Sequence, residues 1–172
     1  MGFVSMSWWL VLLATWQAGY GSVYSEIGLL TALFMAGTAA GALATRHLEG
    51  PKLELLFPGA AGLSLLLASA PPAWSAPALL VVSGCVTGAA FHGLAELGGG
   101  RIHQGTGRAF AADEIGAGLA ALFVGVLALP WLGTTAISLT AAALSTAVVP
   151  GLLMRRAGSE SVDRGVSRRN PG

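Results

Sequence analysis

From Leu55 to Ala95, and again from Ile115 to Met154, the chain runs without a single Asp, Glu, Lys or Arg, and Glu26 is the one such residue before Arg46. Stretches of that length have to be kept out of water, and the chain is too short to bury them in a core of its own. Of its 172 residues only 10% are charged, where a soluble domain carries about 25%, and 54% are apolar. The expectation is an integral membrane protein. A net charge of +1 leaves no electrostatic footprint for a nucleic-acid backbone. A single cysteine, Cys85, excludes an internal disulfide and any cysteine-built zinc or iron–sulfur site within one chain.

A spanning helix needs about 20 mostly apolar residues. Six such segments fit between charges, prolines and glycine-rich turns: Phe3–Tyr20, Glu26–Thr45, Leu53–Ala70, Ala76–Ala95, Asp113–Leu132 and Thr135–Leu153. The expected fold is all-α, a polytopic six-helix membrane bundle over 1–154, followed by a polar, basic tail over 155–172 that is read as disordered. Six spans leave no room for a soluble domain of typical size.

Orientation follows from the basic residues. Arg46 and Lys52 fall between spans two and three, Arg101 and Arg108 between four and five, and the other five, Arg155, Arg156, Arg164, Arg168 and Arg169, in the tail. The remaining connections carry none, so the positive-inside rule puts both termini in the cytoplasm of a cell (inner) membrane. Tyr20, Tyr24, Trp74 and Trp131 then fall near the outer interface, and Trp8 and Trp9 near the inner one. No basic residue precedes the first apolar run, which is therefore read as a retained helix and not a cleaved signal.

Span two aligned without gaps on span five sets Ser25–Gly37 against Asp113–Gly125, with identities at Glu26/Glu114, Ile27/Ile115, Gly28/Gly116, Ala32/Ala120 and Gly37/Gly125. The two spans start on opposite sides, so the expected relation is a 3+3 inverted repeat. Its weight rests on the shared Glu-Ile-Gly. Small residues at four-residue spacing mark helix packing at Gly37 and Gly41, at Gly84 and Gly88, and at Gly118 and Gly125 with Leu122 between them.

Val23-Tyr-Ser-Glu-Ile-Gly-Leu-Leu-Thr-Ala-Leu-Phe-Met-Ala-Gly-Thr-Ala-Ala-Gly41, and Ala112-Asp-Glu-Ile-Gly-Ala-Gly118 running on to Leu129-Pro-Trp-Leu-Gly133, resemble the membrane portion of spermidine synthase-like proteins, whose helices are major-facilitator-like. Such proteins usually attach an aminopropyltransferase domain that binds decarboxylated S-adenosylmethionine and a polyamine. That domain is not in this sequence, so the resemblance implies no enzyme. Gly98-Gly-Gly-Arg101 echoes a glycine-rich cofactor loop but has Arg101 where an acid is expected and no strand before it. Gly41 and Arg46 fit the facilitator loop signature, whereas Thr45, Leu48 and Glu49 depart from it. Six spans are half a facilitator, which implies a second copy or another partner.

Glu26 opens span two, where an acid suits a helix N-terminus; the sharper alternative is an outward-facing amine or cation contact. Asp113 and Glu114 open span five in the same way, with Arg108 near enough to pair, and proton or substrate coupling as the alternative. His92 lies inside span four, four residues before Glu96 on the same helical face. A hydrogen-bonded His92–Glu96 pair is favoured over a haem ligand, because His47 and His103 fall in connections and supply no facing histidine. The segment Leu97–Ala109 reads as a flexible glycine-rich connection. No catalytic set and no metal site emerge, and no cofactor is identified.

Two functions fit. One is a non-catalytic membrane subunit, with lipid and other membrane subunits as partners, that anchors or stabilises a larger complex such as a redox one. The other is a transporter-like protein for a small cation or polyamine acting as a homodimer. The shortage of polar groups within the spans puts the accessory role first.

Overall fold

The computed structural model describes residues 1–21, 24–45, 56–97 and 102–147. Every regular element among them is helical. α1 is Gly2–Tyr20, α2 Tyr24–Thr45, α3 Leu56–Ala68, α4 Ala76–Leu97 and α5 Ile102–Ala120. A π-helical segment, Ala121–Ala128, prolongs α5, and helix continues over 129–147. The connection over 46–55, the glycines of 98–101, the last residues of the sixth span and the tail 155–172 lie outside the described residues.

Three helical stretches are long and apolar enough to cross a membrane: Tyr24–Thr45, Ala73–Phe91 and Phe110–Ala147. The third, 38 residues, would measure about 57 Å if straight, nearly twice the hydrocarbon thickness. It is not straight. Gly133 has φ 73°, a left-handed conformation that suits glycine and ends a helix. Ile137 beyond the bend joins Val124 and Ala120 before it in one buried cluster with Val11 of α1. The chain therefore reverses at Gly133, and the arm over 134–147 is named α6.

α1 is as long as a span but carries Trp8, Trp9, Trp16, Gln17 and three polar hydroxyls, Ser5, Ser7 and Thr15, which lower its apolarity. Its place in the bundle accounts for them. Val4, Trp8 and Leu12 pack with Leu63 and Leu67 of α3, Leu80 of α4 and Ala141 of α6. The helix that faces its neighbours and not lipid can hold polar groups, provided each is satisfied. Ser5 donates to the Gly2 carbonyl at 3.1 Å, Ser7 to Phe3 at 2.7 Å and Thr15 to Val11 at 2.8 Å. Among the described residues no buried side-chain polar atom lacks a partner.

Two parallel helix pairs build the molecule. In the first, Gly37 and Gly41 of α2 lie against the backbone of Val81 and Cys85 of α4, while Gly84 and Gly88 lie against Phe34 and Thr38. A methyl group at any of the four would overlap a carbonyl of the other helix. In the second, Gly2 of α1 abuts the Asp113 carbonyl of α5, a Cβ on Gly116 would sit 3.0 Å from the Phe3 nitrogen, and Gly125 meets the Leu10 side chain at 3.7 Å. Numbers rise together in both pairs, so each pair is parallel. Gly118 does not belong with these glycines. It is exposed, and among the described residues nothing lies within 4 Å of where its Cβ would be. The wider π turns that intervene advance less angle per residue, so Gly118 and Gly125 do not share a face.

α5 begins at Ile102, well before Asp113. Part of the glycine-rich stretch expected to be a flexible connection is thus helical, with Gly105 and Gly107 accommodated inside it. Each glycine costs about 1 kcal/mol against alanine there. Contacts further along offset this, among them Phe110 edge-on to Phe91 with ring centroids 6.4 Å apart.

Candidate functional site

A cleft of about 600 Å³ lies between the two parallel pairs. α1 contributes Ser5, Met6 and Trp9; α2 contributes Thr31, Phe34, Met35 and Thr38; α4 adds Thr87 and Phe91; α5 adds Phe110, Asp113, Glu114 and Ala117. Its volume suits a small organic ligand. Aromatic and thioether side chains make up nearly half of the lining, and the acids stand at one end. Met35 and Phe110 remain 60% and 54% exposed, so the cleft is open on the side between α2 and α5.

The hydroxyls along the walls have a shared geometry. Thr31 donates to the Ile27 carbonyl at 2.8 Å, Thr38 to Phe34 at 3.0 Å and Thr87 to Ser83 at 2.8 Å. Ser5 is back-bonded in the same manner. With each proton directed to its own helix, these oxygens present lone pairs to the cleft.

Asp113 and Glu114 lie about three turns into α5, where a helix dipole no longer acts on a charge. The helix-capping role expected for them does not apply. The Met1 amino nitrogen is instead 3.5 Å from Asp113 Oδ1, joining the starts of α1 and the apolar part of α5. Glu114 is exposed at the rim of the cleft.

Glu26 is placed elsewhere. It lies in the first turn of α2, as expected, and accepts a hydrogen bond from Trp16 Nε1 at 3.0 Å. Trp16 in turn stacks at a tilt on Tyr20, with centroids 4.5 Å apart. This acid is tied to α1 at the far end from Asp113, about 20 Å away along the helix at 1.5 Å per residue. Glu26 and Glu114 are not brought together. The side chains of His92 and Glu96 lie outside the described residues; their backbone belongs to the last turns of α4, following Phe91.

The cleft itself was not foreseen. The signal available was the polar Thr31/Thr38 and Ser83/Thr87 spacing on two helices, but which helices pair decides where those hydroxyls meet. Trp8 is also differently placed from expectation. It is fully buried, and its indole donates to Ser64 Oγ at 2.8 Å, in the core and not at an interface. Among the described residues no group of three or more His, Cys, Asp and Glu side chains could hold a metal ion. Comparison with protein-family profiles, curated proteins and solved structures returned no match.

Proposed function

We propose that the chain is a non-catalytic, six-span subunit of a membrane complex, built from two inverted three-helix repeats related to the membrane portion of spermidine synthase-like proteins. The observation that carries the subunit reading is the uncovered apolar flank on both sides of the open cleft. On α2 it includes Leu29, Met35 and Leu43, and along α5 and its π extension Ile115, Leu122 and Phe123. Lipid can cover such a flank, but an open cleft between two uncovered helices is closed more completely by another chain.

The repeat is supported by the contacts. If α1, α2 and α3 correspond to α4, α5 and α6, the α2–α4 pair must have an α5–α1 counterpart, and both pairs are parallel and meet at glycine. The residue matched to Gly37, which meets Val81, is Gly125, which meets Leu10.

Native mass spectrometry of the protein extracted from its own membranes in mild detergent tests the subunit reading. A defined heteromeric assembly is expected, and a bare monomer would overturn it. A second reading, transport of a small cation or polyamine by a homodimer, is favoured by the rim position of Glu114. A homodimer without companions is the outcome that would put this reading first.

A further inference from the structure

We propose that the four-helix cleft binds an amphiphilic amine, an apolar body bearing one ammonium group, with the ammonium at the Asp113/Glu114 end. Three independent features of the walls lead there. First, apart from the Trp9 indole, the polar side chains lining it are acceptors, because the protons of Ser5, Thr31, Thr38 and Thr87 are spent on their own helices. A ligand carrying phosphate or carboxylate would find only the Trp9 indole as a donor among these lining side chains. Second, the acids fall at one end, where the Met1 amino group already pairs with Asp113 at 3.5 Å and Glu114 offers its carboxylate to a ligand, so the complementary charge belongs at one end of the ligand. A polyamine, charged along its length, would have to place its remaining ammonium groups against Phe34, Met35 and Met6. Third, those aromatic and thioether side chains offer adaptable, polarizable walls for an apolar body, and rings near the acidic end, Phe91 and Phe110, add attraction for a cation. About 600 Å³ is ample for a ring and a short alkyl chain. All four walls belong to one copy, so the cleft exists whether or not another chain closes its open side.

The test is calorimetric titration of the full chain in zwitterionic nanodiscs, with empty nanodiscs subtracted, using 4-phenylbutylamine as the probe. Its uncharged alcohol analogue, 4-phenylbutanoate and spermidine serve as comparisons. Saturable one-to-one binding of the amine is expected, at least about tenfold tighter than the alcohol, with no measurable binding of the carboxylate. Glu114→Gln, a change at an exposed rim position, should weaken the amine about tenfold while leaving the alcohol unaffected. Met35→Trp, which places bulk in the cleft from a half-exposed face of α2, should remove binding of both, with helical circular dichroism unchanged. Equal affinity for amine and alcohol, tighter binding of spermidine, or an amine affinity unmoved by Glu114→Gln would overturn the proposal. Failure of the mass-spectrometric test would leave this titration unaffected, so the two can fail separately.

Discussion

Trp8 shows how far a single side chain can be read from its type. An indole has an apolar body and one donor, and it is at home either at headgroup level or in a core that supplies an acceptor. The sequence contains both settings for Trp8, and the acceptor that decides between them, Ser64, lies 56 positions away. Ser64 passes its own proton to the Ala60 carbonyl at 2.9 Å, so its oxygen faces Trp8 as an acceptor. Ser64→Ala would leave a fully buried N–H unpaired and should destabilise the protein by about 1–3 kcal/mol. Trp8→Phe/Ser64→Ala together, which remove both partners, should recover part of that loss. Thermal unfolding in detergent, followed by the fluorescence of the remaining tryptophans or by circular dichroism, measures the cycle. Glu26 teaches the same lesson in reverse: its place at a helix start is readable locally, whereas its partner is an indole on α1 where a base would be sought.

Helices were readable wherever apolar length alone decides them. α1 and α4 begin within a residue of the expected bounds and α2 within two, because an apolar run starts at a turn glycine or proline. α5 departs most, since a polar, glycine-containing helix start has no apolar signature. The packing glycines divide in a way that spacing cannot show. Gly88 touches the Thr38 backbone while Gly118 touches nothing described. Gly88→Leu should therefore separate α2 from α4 and sharply lower folded yield. Gly118→Ala should be neutral or stabilise by up to about 1 kcal/mol, through helix propensity alone. Folded yield and midpoint of thermal unfolding, measured on both variants side by side, check the contrast; equal damage from the two would mean that the helix pairing is wrong.

At the scale of the whole molecule, direction is the strongest constraint the contacts impose. α1 runs parallel to α5 and α2 parallel to α4, while Trp16 meets Glu26 across an antiparallel α1–α2 turn and α6 returns beside α1 after Gly133. Each relation fits a chain that reverses direction from one helix to the next. The basic loops lead to the expectation of the same alternation, but they do not say which helices touch, because glycine and alanine on every expected span make every face a possible interface. Alternation places Tyr20, Trp74 and Trp131, all exposed, at one end of the bundle, and Gly107 at the other. In a Cys85→Ala background, cysteines introduced singly at Tyr20, Trp74 and Trp131 should react in intact cells with a membrane-impermeant maleimide. A cysteine at Gly107 should react only after permeabilisation, in keeping with the basic residues flanking it. Tyr20 and Trp131 labelling from opposite sides would break the α1–α5 parallel pair and, with it, the cleft between the two helix pairs.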